Sequence, residues 1–318
     1  MKVFKKVLKY TAIVLAFVAV YFYLGMVVTP KDRTDIGGEK YYSCLSIGEE
    51  KKNTLDMLFM GNSDLYAGVS PMEIYEQTGA RSFCCGYPKQ SMNAVKRQLK
   101  KVLKKQSPKV LFLETDCLYY PNTFFTGSNV YDYVSVGALI AYHARWKEIE
   151  WKDFFTIPKA KADPYKGYVY SDIVSNYHLK ESFMKDVDSK AKPMAKSVIK
   201  DVKEIKKICD KRGIKLVFCC MPTATTWSWA KARGVQKLAD ELGVENLDFN
   251  TNYEELGIDF SAHFRDNGNH LNYFGAKIIT NKLSEYIDSK FAEFGLDDYR
   301  GVDTNWDNWL LQYKEKVA

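Results

Sequence analysis

The sequence predicts an α/β fold, a parallel sheet with right-handed crossovers, preceded by one helix that spans a membrane. Three observations carry this. Short apolar runs alternate with amphipathic stretches in the order strand, helix, strand, helix, strand, the pattern of parallel βαβ units. The first of those runs, Leu55 to Met60, stops at Gly61 and leaves Ser63 on the turn beyond it. Tyr10 to Thr29 is an uncharged apolar stretch long enough to cross a bilayer as a helix.

The N-terminus sets the compartment. Lys2, Lys5, Lys6 and Lys9 form a basic stub over residues 1–9, ahead of the apolar segment at 10–29. A cleavable signal peptide has a shorter apolar region and a small-residue cleavage site. This segment instead carries Phe17, Tyr21, Phe22 and Tyr23 and has no Ala-x-Ala, so it reads as an uncut single-pass membrane anchor. Four lysines before it, against Lys31 and Arg33 soon after, put the N-terminus in the cytoplasm. Everything from about residue 32 onward is then extracytoplasmic.

Residues 30–54 are polar and read as a juxtamembrane linker. Leu55 to Met60, closed by glycine, reads as a buried strand of a parallel sheet. Asn62, Ser63 and Asp64 then have two readings. They form a turn and N-cap for a helix over Asp64 to Tyr75. Alternatively, Ser63 sits at the carboxyl edge of the sheet, where ligands bind in open α/β folds and the next helix offers unpaired N–H groups.

A short helix near Pro71 to Thr78 and a second strand, Arg81 to Gly86, follow. Gln90 to Lys105 places Val95, Leu99, Val102 and Leu103 at helical spacing, Ser107-Pro108 breaks it, and Lys109 to Glu114 is a third buried strand. Residues 117–185, irregular and rich in tyrosine, with a helix over Val136 to Glu148, read as an insertion or cap over the sheet.

A helix from Pro193 to about Arg212 ends at Gly213, the expected C-cap. Lys215 to Met221 is a fourth strand, Ala230 to Leu242 a helix, and Val244 to Phe249 a fifth strand. An amphipathic helix over Phe274 to Phe294 closes the main domain at 55–295. The tail at 296–318, with Trp306, Trp309 and Leu310, is either a docking helix or a partner contact.

A length of 318 residues with 46% hydrophobic composition supports one large domain, or at most two, with a real core. The net charge of +7 is modest, and the lysines of Lys96 to Lys105 and Lys190 to Arg212 fall on solvated helix faces, which excludes nucleic-acid binding as the main function. Cys84, Cys85, Cys219 and Cys220 lie in apolar strand-like runs, where free cysteine acts as a small hydrophobe, so no essential disulfide is expected. There is no Cys-x-x-Cys and there are four histidines, so neither a metal nor another cofactor is expected.

The chemistry points to Phe264–Ala276, a loop made by glycine and asparagine that holds Asp266 four residues ahead of His270. A serine nucleophile needs a base of intermediate pKa, and that base needs a carboxylate to fix its tautomer. This loop supplies both, at the sheet edge that carries Ser63. Trp227 and Trp229, in Thr225-Thr-Trp-Ser-Trp229, are exposed by pattern; they line an acyl or glycan site, rest on a membrane interface, or pack in the core.

These blocks resemble the SGNH/GDSL hydrolase superfamily. Gly61-Asn62-Ser63 matches its first block, and Asp266 with His270-Leu271-Asn272 and Gly275 its last. Gly86-Tyr-Pro-Lys-Gln90, Pro108-Lys-Val-Leu-Phe-Leu-Glu114 and His143-Ala-Arg-Trp146 are similar to the membrane-anchored bacterial branch that includes the DltD-type and alginate-acetylation proteins. The resemblance spans about residues 55–290 and implies a flavodoxin-like three-layer sandwich. It implies Ser63 as nucleophile, His270 as general base and Asp266 as its partner, with an oxyanion hole from the N–H groups of Ser63 and Gly86 and the side-chain amide of Gln90, with Asn93 behind it.

This chain departs from the family in two places. The family acid sits three residues before the histidine, where this chain has Asn267, and the third-block asparagine is not evident. The implied function is an extracytoplasmic O-acyl esterase or acyltransferase acting on an envelope polymer, a teichoic acid or a polysaccharide, beside a multi-pass membrane O-acyltransferase. The rivals are a non-catalytic envelope scaffold and a stand-alone acetyl esterase.

Overall fold

The computed structural model describes residues 2–120, 137–139, 142–181 and 183–318. Five strands, β1 (Met57–Gly61), β2 (Ser82–Gly86), β3 (Val110–Glu114), β4 (Lys215–Cys220) and β5 (Glu245–Asp248), form one sheet in the order β2-β1-β3-β4-β5. Every pairing is parallel. The first three strands are buried at every position, as continuous apolar runs covered on both faces must be. Register aligns Phe59 with Phe112, whose rings stack at 4.6 Å across β1 and β3. The fold class expected from the sequence is therefore the one observed.

The chain leaves β1 toward β2 through α3 (Ser63–Gly68) and α4 (Pro71–Thr78). It then returns past β1 and moves the other way through α5 (Met92–Val102), α6 (Lys196–Arg212) and α7 (Trp229–Leu242). With right-handed crossovers, opposite directions of travel put these two sets on opposite faces, giving three layers. α5 packs on α6, and α3 and α4 pack under α8 (Tyr273–Ser289). The direction changes between β1 and β3, so the crevice beyond their carboxyl ends is where this topology gathers a site. Ser63 and the Glu114–Asp116 turn both emerge there.

All seven cysteines are buried and unpaired, four of them inside β2 and β4. The tail forms a helix, α9 (Thr304–Val317), docked on α4 rather than left free: Trp306 and Tyr313 are buried, and the Tyr313 hydroxyl accepts from Ser70 Oγ at 3.0 Å and donates to Glu73 at 3.1 Å.

The N-terminal helix α1 (Lys2–Val28) is long and apolar enough to cross a membrane. Its last turn is anchored in the domain. Val28 joins Tyr41, Tyr42, Ala138 and Tyr142 in an apolar cluster. Arg145, only 2% exposed, donates to the Val27 carbonyl at 3.1 Å and pairs with Asp35 and Asp153 at 2.9 Å each. The stretch at 30–54 is accordingly not a plain linker: α2 (Gly38–Leu45) folds within it and buries Tyr41, Tyr42 and Cys44.

Of the helix expected over 136–148, residues 136, 140 and 141 lie outside the described residues; His143–Glu148 form a 3-10 helix. The insertion covers the outer edge of β2, where the Cys84 N–H donates to Lys166 O at 2.9 Å, and its end joins residues 264–273, with the Ser175 N–H donating to Phe264 O at 2.8 Å and the Tyr273 N–H to Ser171 O at 2.6 Å.

Candidate active site

β1 ends at Gly61, a position β3 restricts to glycine: a Cβ would lie 2.2 Å from the Glu114 Cβ. Asn62 then caps α3, its Oδ1 accepting from the Asp64 N–H at 3.0 Å. Ser63 occupies the first helical position, half-buried, with an N–H that has no intrahelical partner. The turn does cap a helix, but one that stops at Gly68 instead of running to Tyr75, because Val69 and Ser70 are extended and Pro71 starts a second helix, and it leaves Ser63 at the end of β1.

Downstream, β6 (Phe264–Asp266) and β7 (His270–Leu271) make an antiparallel ribbon. Asn267, Gly268 and Asn269 turn the chain, with Gly268 at φ 73°. Asp266 and His270 are directly opposed across this ribbon, so their side chains share a face. The acid four residues ahead of the histidine is therefore a cross-strand partner. Asp266 Oδ2 lies 2.6 Å from His270 Nδ1, and Asp266 Oδ1 accepts from the His270 N–H at 2.7 Å. On the other side of the ring, Nε2 lies 2.7 Å from Ser63 Oγ.

Burial pushes the Asp266 carboxyl up, but the hydrogen bonds and charge of His270 outweigh it and hold the group below its ordinary value. An ionised Asp266 accepting from Nδ1–H leaves Nε2 free to take the serine proton. Ser63, His270 and Asp266 are thus brought together at one place.

The other site expectations fare differently. Gly86 packs directly against the nucleophile turn, where a Cβ would lie 2.6 Å from the Asn62 carbonyl. Gln90 is fully buried and its amide nitrogen donates to Gln98 Oε1 at 2.7 Å. Among the implied donors, the Ser63 N–H lies at the first helical position, where it has no intrahelical partner.

Trp227 and Trp229 are not the exposed pair their pattern suggests. Trp227 is buried with its indole N–H on Asp248 at 2.9 Å, and half-buried Trp229 donates to the Met184 carbonyl at 2.9 Å.

Sequence reasoning missed a buried acidic cluster beneath the serine. The Asn62 amide donates to Asp64 at 2.9 Å and to Asp116 at 3.3 Å, and Lys231 pairs with Asp116 at 3.0 Å. Glu114 accepts from the Asp116 and Met221 N–H groups. Burial, then the nearby Asp116 charge, pushes the Asp64 carboxyl up to about 7, and burial raises Glu114 well above its ordinary value. Asp64 Oδ1 is 3.7 Å from His270 Nε2. The signal available was Glu114-Thr-Asp116 at a strand's carboxyl end; nothing in the sequence marks Lys231.

No protein-family model matches the chain, and no curated protein matches it. Several solved structures resemble it. A candidate acylhydrolase from Bacteroides fragilis is 10% identical with a TM-score of 0.41, covering 78% of this chain and 95% of that one. The psychrotrophic esterase EstA from a Pseudoalteromonas species is 9% identical with a TM-score of 0.40, covering 74% and 99%. A lipase/acylhydrolase from Enterococcus faecalis is 9% identical with a TM-score of 0.38, covering 77% and 98%. Likenesses this distant assign no activity, and the chemistry is read from the side chains.

Proposed function

We propose that this protein is a serine-dependent O-acyl esterase or acyltransferase of the SGNH/GDSL type. The observation that carries the reading is the chain of contacts from Asp266 through His270 to Ser63, at 2.6 and 2.7 Å. Ser63 Oγ attacks an ester carbonyl as His270 Nε2 takes its proton, while Asp266 stabilises the imidazolium. The tetrahedral oxyanion faces the start of α3, where the Ser63 N–H is available. His270 returns the proton to the departing alcohol, leaving an acyl-Ser63. Water or an acceptor hydroxyl, deprotonated by His270, then attacks the acyl group and restores the serine.

Transfer and hydrolysis share this first half. Within the reading, α1 is an uncut anchor with its N-terminus in the cytoplasm, supported by the burial of its last turn and by Arg145 on the Val27 carbonyl. The domain is then extracytoplasmic and works on an ester of an envelope polymer, teichoic acid or polysaccharide, in the manner of the DltD-type and alginate-acetylation branch, with a multi-pass O-acyltransferase supplying acyl groups. The displaced acid that favoured a non-catalytic scaffold loses its force once Asp266 is the cross-strand partner of His270.

The test is turnover of p-nitrophenyl acetate by the full-length protein in detergent. Turnover by wild type that is lost in Ser63→Ala supports the reading; equal rates contradict it.

A further inference from the structure

Outside α1, the three most exposed large apolar side chains among the described residues are Trp151 (79%), Phe155 (79%) and Ile157 (76%), with Trp146 at 69%. They cluster on one short stretch of chain. Trp151 contacts Phe154 and Phe155 edge-on, with ring centroids 5.4 and 6.1 Å apart. A soluble surface does not ordinarily carry two tryptophans, a phenylalanine and an isoleucine this open to water.

The placement of the cluster says what covers it. The 3-10 helices that carry it, His143–Glu148 and Trp151–Phe154, pack on α1. The Tyr23 hydroxyl donates to the Phe154 carbonyl at 3.1 Å. Arg145 and Asp153, both buried, fix the same segment to the Val27 carbonyl, so the cluster cannot swing away from the helix. Tyr23 is exposed just before the turn of α1 that Val27 and Val28 bury in the domain, so the cluster lies at the level where the helix leaves the protein. Interfacial apolar side chains enter a bilayer to about 5–10 Å below such a level. Tryptophan favours this layer because its ring is apolar and its N–H stays wet. Lys147, Lys152, Lys159 and Lys161 are exposed on the same stretch of chain, as are Glu148 and Glu150, a mixed-charge rim suited to zwitterionic headgroups.

Resting on the reading of α1 as a membrane anchor, we propose that Trp146, Trp151, Phe155 and Ile157 are inserted in the interfacial layer of the lipid bilayer around the outer end of α1. The domain is thereby docked on the membrane in one orientation instead of hanging on a flexible tether.

The test uses full-length protein reconstituted in phosphatidylcholine vesicles with and without acyl chains brominated near the headgroup, reading tryptophan emission. The other four tryptophans are buried or half-buried. Wild type is expected to be quenched by the brominated lipid, and Trp146→Phe/Trp151→Phe to lose most of that quenching at an unchanged unfolding temperature. Flotation of the same vesicles after alkaline extraction separates the two readings. Protein that floats but is not quenched, or is quenched equally in the double variant, overturns the docked surface and leaves the anchor. Protein that does not float overturns both.

Discussion

His270 Nε2 lies 2.7 Å from Ser63 Oγ across 207 residues of chain. Two separate devices bring them together: the carboxyl edge of β1, which sets the serine on α3, and the β6–β7 ribbon, which holds the histidine above it. Each can be broken separately.

Asp266→Asn keeps the shape of the ribbon but removes the charge that orients the ring. The expected loss in kcat is on the order of 10⁴, the size seen when a triad aspartate is made neutral. Steady-state hydrolysis of p-nitrophenyl acetate by the two proteins measures it, and a loss of less than tenfold would place the orienting acid elsewhere.

Gly86→Ala puts a methyl group 2.6 Å from the Asn62 carbonyl, so the turn bearing Ser63 has to move. Overpacking of this kind costs about 1–3 kcal/mol. We expect a lower unfolding temperature together with a fall in kcat. Unchanged activity would show that the turn can shift without consequence for the serine.

Gln90→Ala separates the donor implied by resemblance from the one seen bound to Gln98. Removing a true oxyanion donor typically costs about 100-fold or more in kcat. Because the Gln90 amide nitrogen is held by Gln98, we expect kcat per folded molecule to change only slightly, with some loss of stability.

Asp64 gives a pH signature. Its folded value near 7 stands above its ordinary 3.8, so between about pH 4 and pH 7 the unfolded chain has released a proton that the folded chain still holds. Stability from this group therefore falls as pH rises through that window and stays reduced above it. Asp64→Asn removes the penalty. The variant should gain unfolding temperature over wild type at pH 8 and lose that advantage at pH 4; an advantage independent of pH would rule out the carboxyl as its source.

The sheet was legible because β1 to β4 are short apolar runs closed by glycine or turn residues, and nothing competes with burial there. The grouping of Ser63, His270 and Asp266 was legible because Gly61-Asn62-Ser63 and Asp266…His270 are local patterns, and the unusual spacing resolves into a three-residue turn with glycine at positive φ. What escaped depends on contacts distant in sequence. Gln90 reads as a free amide until α5 brings Gln98 to it, and Thr225-Thr-Trp-Ser-Trp229 reads as exposed until Asp248 and Met184 take the two indole N–H groups. The polar look of residues 30–54 hid Tyr41 and Tyr42, which are buried in a cluster with Val28, Ala138 and Tyr142.

The most direct measurement is mass spectrometry of full-length protein treated with a fluorophosphonate, for wild type, Ser63→Ala and His270→Ala. A base-activated serine should give one adduct on the peptide containing Ser63, absent in Ser63→Ala and strongly slowed in His270→Ala. No adduct in wild type, or one that persists in Ser63→Ala, would contradict a serine nucleophile at this site.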